Sequence, residues 1–80
     1  MGLRSENKMI IHFKRRFLER YGEQLEHHHI DDIIINVLGG QAKFIESKTE
    51  AVKVFDIKLN NNIYRIMYDV DLNIPVTAIT

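Results

Sequence analysis

Eighty residues, 45% hydrophobic and 28% charged, fit one small domain spanning 1–80 and exclude a multidomain enzyme. The absence of cysteine excludes a disulfide scaffold, a thiol nucleophile, Cys-ligated zinc and iron–sulfur chemistry, and fits a reducing, cytoplasmic setting. Eleven basic and eleven acidic residues cancel, which argues against an extended nucleic-acid surface, and no apolar run approaches the about 18 residues of a membrane span.

From Ser5 to about Tyr21 the pattern is helical: Ile10, Phe13, Phe17, Leu18 and Tyr21 fall on one stripe when each residue is turned by about 100°. Gly22 follows as a left-handed stop, where any Cβ would be penalised. Residues 1–20 hold six Lys or Arg against two acids, a surplus of four positive charges, whereas residues 21–50 carry the opposite surplus of four. The neutral total thus conceals a basic first element beside an acidic second one, an arrangement in which two neighbouring helices simply attract. Ile30, Ile33, Ile34, Val37 and Leu38 repeat the helical spacing over about ten residues, with Asp31 and Asp32 in the first turn and Gly39-Gly40 closing the helix.

The period then changes to two. Gln41 to Glu46 reads as a first strand. Val52 to Leu59 reads as a second, with Lys53, Phe55, Ile57 and Leu59 on one face and Val52, Val54, Asp56 and Lys58 on the other. Asn60-Asn61-Asn62 signals a turn, because Asn tolerates positive φ. Ile63 to Asp69 is a third strand, Asp71-Leu72-Asn73 a second turn, and Ile74 to Ile79 a fourth strand whose Pro75 places it at an edge. The order predicts an α+β fold, two N-terminal helices packed on a four-stranded antiparallel β meander. The opening MGLRSENK lacks the apolar core of a signal peptide.

His12, Arg16 and Arg20 form an H-x-x-x-R-x-x-x-R series that a helix arranges as one slanted row beside its apolar stripe. A histidine and two guanidinium groups on one face supply what phosphodiester chemistry needs, a proton shuttle and fixed positive charge. The same row is also what a solvated basic face looks like, with Arg15 or Arg16 paired to Glu19 or Glu23. Arg65 stands mid-strand, on the face opposite Tyr64, Ile66 and Tyr68 by alternation. It is either functional or an ordinary residue on a wet sheet face. Thr77 suits its strand by propensity alone. His27-His28-His29 does not read as a metal site, since consecutive residues diverge by about 100° on a helix, and no metal or other cofactor is expected.

The stretch from His12 to Gly22, the helix segment Ile30-Asp31-Asp32-Ile33, the strand Tyr64-Arg65-Ile66-Met67-Tyr68-Asp69 and the ending Val76-Thr77-Ala78-Ile79 resemble a group of small bacterial and phage proteins. That group is related in fold to the RelE, barnase, EndoU and colicin-type metal-independent ribonucleases. The resemblance spans about residues 9–80. It implies a toxin-like or phage-borne endoribonuclease, in which the ribose 2′-hydroxyl attacks the adjacent phosphate and leaves a cyclic phosphate end. By that resemblance His12 is the acid/base, Arg16 and Arg65 complete the catalytic set, and Arg16, Arg20, Arg65, Tyr68 and Thr77 bind phosphate. The competing expectation is a non-catalytic interaction or inhibitor protein on the same fold, binding a host or defence protein or a nucleotide in the cytoplasm of a bacterium or phage-infected cell. Binding of RNA without cleavage is a third reading, marked by steep salt dependence. A thin core and an edge strand are compatible with a homodimer.

Overall fold

The structure, a computed structural model, describes residues 8–79. Two helices, α1 (Lys8–Tyr21) and α2 (His27–Leu38), precede four strands, β1 (Lys43–Ser47), β2 (Val52–Leu59), β3 (Asn62–Asp69) and β4 (Ile74–Ile79). The fold is α+β, and the strands form one open antiparallel sheet in the order β1-β2-β3-β4. Ser5 to Asn7, expected to begin the first helix, and Thr80 lie outside the described residues.

α1 buries Ile10, Phe13 and Phe17 and half-buries Tyr21. Spacings of three, four and four residues suffice to make that stripe. Leu18, expected within it, is 46% exposed, because it sits one residue past Phe17 and is therefore turned about 100° from the stripe. The helix ends at Gly22, whose φ of 71° is left-handed and whose N–H reaches the Leu18 carbonyl at 2.8 Å.

α2 starts earlier than its apolar spacing suggests. Glu26 and His29 form a reciprocal capping box, with the Glu26 N–H donating to His29 Nδ1 at 2.9 Å, so the helix takes in all three histidines. Asp31 and Asp32 consequently lie beyond the first turn and do not cap it. Ile30 and Ile33 are buried, while Leu38, at the other end of the expected stripe, is 69% exposed.

The two-residue turn Asn60-Asn61 takes φ values of 52° and 69°, which pairs Leu59 with Asn62 and sets the β2–β3 register. That register places Phe55 beside Ile66 and Ile57 beside Tyr64, and the next pair places Ile66 beside Ala78. Ile57, Leu59, Tyr64, Ile66, Tyr68 and Ala78 therefore share the face that meets Phe13, Phe17, Leu25, Ile30 and Ile33. α1 packs against β4, and α2 against β2 and β4. Each fully buried Phe or Ile side chain stabilises the fold by about 1.5–3 kcal/mol. Phe17 is central, its ring 4.8 Å from Tyr64, 5.0 Å from Tyr21 and 6.0 Å from Phe13. Tyr21 ties α1 to the sheet: its hydroxyl donates to the Ile79 carbonyl at 2.5 Å and accepts from the Arg65 N–H at 3.1 Å.

Candidate functional site

His12, Arg16 and Arg20 all lie exposed on α1, flanking the buried stripe. Arg16 joins two of its neighbours, donating from Nε to His12 Nε2 at 3.5 Å and from Nη1 to Glu19 Oε1 at 3.3 Å. The second contact is the i,i+3 pairing of a solvated helix face, about half exposed on both sides, and such pairs open easily. The Arg20 side chain makes no hydrogen bond or ion pair with another described residue. The row offers an anion three polar side chains on one side of one helix.

Arg65 is not part of that row. β-strand alternation turns its side chain to the face of the sheet that carries no helix, opposite Tyr64 and Ile66. There it pairs in register with Asp56 and grips it through both nitrogens, Nε to Oδ1 at 2.9 Å and Nη2 to Oδ2 at 3.2 Å. The hydrogen bond from Arg65 holds the Asp56 carboxyl below its usual value against an opposing effect of burial. The same bond raises the Arg65 guanidinium above its own. Asp56 takes two of the five Arg65 donors and neutralises its charge, so Arg65 is already committed to a carboxylate.

Tyr68, expected as a phosphate contact, is a core residue. It faces the helices, is fully buried, packs its ring 6.1 Å from Phe55, and donates its hydroxyl to Asn73 Oδ1 at 2.5 Å. Burial pushes its phenol up to about 12. Thr77 is half-buried and pairs with Met67, so it shares the helix-free face with Arg65 rather than with His12. The expected site residues thus divide into a helix row (His12, Arg16, Arg20), a sheet-face group (Arg65, Thr77) and a core residue (Tyr68), and they do not converge on one cleft.

A different arrangement went unread in the sequence. Where the α1–α2 connection meets the β2–β3 turn, a cavity of about 290 Å³ opens between Glu23, Gln24, His29, Asn60, Asn62 and Tyr64, over a floor of Leu25 and Leu59. The Tyr64 hydroxyl donates to Glu23 Oε1, which, together with burial, raises the Tyr64 phenol. His29 contributes its outer edge, with Nε2 lying 3.4 Å from Asn60 Nδ2. The available signal was the Glu26-x-x-His29 capping spacing and the tight Asn60-Asn61 hairpin, which bring these residues together from positions far apart in the chain.

Among the described residues no three His, Asp or Glu side chains gather as metal ligands, and the His28 and His29 rings stack on each other with centroids 4.1 Å apart. Comparison with protein-family models, with curated proteins and with solved structures finds no match to this chain.

Proposed function

We propose that this protein acts by binding rather than by turnover, as a non-catalytic interaction protein that docks on a host or defence protein through the helix-free face of its sheet. The observation that carries the reading is the closed Arg65–Asp56 pair on that face, set between half-buried Met67 and Ile79 and beside Ile63, which is 68% exposed. A neutralised charge pair bordered by apolar side chains is what a protein interface uses for register and burial, whereas a phosphoryl site needs uncommitted positive charge. Among the described residues no helix is long and apolar enough to cross a membrane.

The reading is tested by mixing the purified protein with lysate of a candidate host, isolating the stoichiometric complex, and repeating the capture with Ile63→Glu and Arg65→Ala. Both variants are expected to weaken capture about tenfold or more, as truncation at an interface centre does. Equal capture by both variants refutes the face.

The second reading is the metal-independent endoribonuclease, favoured by the contact between Arg16 and His12. It requires structured or single-stranded RNA to be cut in EDTA, leaving a cyclic phosphate, with His12→Ala inactive. Cleavage of that kind by the wild-type protein displaces the binding reading.

A further inference from the structure

We infer that the cavity between the α1–α2 connection and the β2–β3 turn binds a primary alkylammonium group, carried on a free amine or on a lysine side chain. The inference stands independently of the interface proposed above, which lies on the other face of the sheet. Its first support is charge. Glu23 is the one formally charged group lining the cavity when His29 is neutral, and among the described residues no Lys or Arg lines it. The bond from the Glu26 N–H to His29 Nδ1 requires that nitrogen to be unprotonated, which is the neutral form of the ring.

The second support is direction. The Tyr64 hydroxyl anchors Glu23 by Oε1, and Glu23 makes no other hydrogen bond or ion pair with a described residue, so Oε2 remains available to a ligand. Gln24 and Asn62, whose side chains carry amide carbonyls, line the same cavity, and the Asn62 side chain is also hydrogen-bonded to Tyr64. An ammonium head carries three donors and no acceptor, and one carboxylate oxygen with two amide carbonyls answers all three.

The third support is the floor. Leu25 and Leu59 are 7% and 5% exposed, an apolar base for methylene groups behind the charged head. A cavity of about 290 Å³ equals the share of about ten waters, enough for a short alkyl chain and small for a nucleotide or a drug-sized ligand.

The test is an NMR titration of the full chain with 1,5-diaminopentane, with lysine capped at both backbone ends, and with 1-pentanol as the uncharged control. Saturable shifts are expected at the Leu25 and Leu59 methyls and at the Gln24 and Asn62 side-chain amides, with pentanol producing none. Saturation by the diamine alone assigns a free amine as the source, saturation by capped lysine assigns a protein side chain, and either supports the inference. Glu23→Gln, which keeps an oxygen for Tyr64, is expected to weaken amine binding roughly tenfold or more, the loss of one charge-assisted contact. The inference is overturned if neither amine saturates the site, if pentanol shifts the same groups equally, or if Glu23→Gln titrates like wild type. It is equally overturned if the shifts centre on Asp31 and Asp32, which would be surface charge alone. The pentanol arm uses unaltered protein, so it decides even if the variant folds poorly.

Discussion

Raising the pH tests where Tyr68 belongs. Its phenol titrates at about 12 in the fold, pushed there by burial, against about 10 in the unfolded chain. The folded state therefore holds the proton more tightly, and the corresponding stability is fully present below about pH 10 and lost as pH rises to about 12. Two units at about 1.36 kcal/mol each amount to about 2.7 kcal/mol. Total stability for 80 residues is of the order of 4–12 kcal/mol, so the loss is a sizeable fraction. The assay is urea denaturation of wild type and Tyr68→Phe at intervals from about pH 9 to 12, with phenolate absorbance recorded in parallel. At the low end Tyr68→Phe is expected to be less stable by about 0.5–1.5 kcal/mol, because Asn73 loses its partner. By about pH 12, where the folded phenol is half ionised, the wild type should have lost about 2.3 kcal/mol more than the variant, so their order reverses. Taking the difference between the two proteins removes the contribution of Tyr64, whose phenol is also raised. A Tyr68 that ionises near 10 and shifts with added phosphate, with no change in the stability difference, would falsify its placement in the core and restore it as an anion contact.

Phe17→Ala should cost about 3–5 kcal/mol and lower Tm by roughly 12 °C or more in a thermal scan, since its fully buried ring meets three other aromatic rings. A small shift there would mean that α1 is not docked as described. Gly22→Ala meets no atom within 4 Å but keeps a φ of 71°, so strain alone should cost about 1–2 kcal/mol, read as a lower urea midpoint at unchanged slope. For Asp56 the sign is opposite to that of Tyr68. Its carboxyl titrates lower in the fold than in the unfolded chain, so the pair contributes stability above the unfolded value and loses it as pH falls through the lower folded one. Wild type should therefore exceed Asp56→Asn in urea midpoint at neutral pH, with the gap closing in acid and narrowing in high salt; a gap that persists in acid contradicts the pairing.

The elements were legible because their periodicities are strong. Val52–Leu59 and Ile74–Ile79 coincide with the expected strands, and along β2 Phe55, Ile57 and Leu59 share the core face as expected, although Val54 is buried too, on the opposite face. Helix starts were less legible. Three histidines look like anything but a helix N-terminus, yet Glu26 takes the N-cap place of a Ser or Asp, His29 supplies the acceptor that a Glu or Gln at the third position would provide, and the two aspartates fall outside the first turn. Leu18 and Leu38 were misplaced for a different reason: a short helix with a narrow contact strip buries fewer positions than a generous reading of its stripe admits. The Arg65–Asp56 pair was hidden because register, which depends on a two-residue turn, decides which residues stand side by side.

Alternation itself argued against the single active site that the motifs suggested. Residues 65 and 68 are separated by an odd number of positions, so in an unbroken strand their side chains must point to opposite faces, and no adjustment short of a bulge between them changes that. The β3–β4 register does shift between Met67 and Tyr68, but β2 pairs continuously with β3 from Val52 to Leu59, so β3 keeps its alternation and the irregularity belongs to β4. A phosphate held by Arg65 would have to share the guanidinium with Asp56, which already takes two of its hydrogen bonds, on one side of the sheet while His12 waits on a helix packed against the other. A carboxylate beside the guanidinium repels a phosphate held there, and that cost falls on substrate binding with no return in transition-state contacts. The same pair presented to a protein partner stays intact and simply orders the surface around it. That asymmetry is the physical reason to favour contact over catalysis on this face.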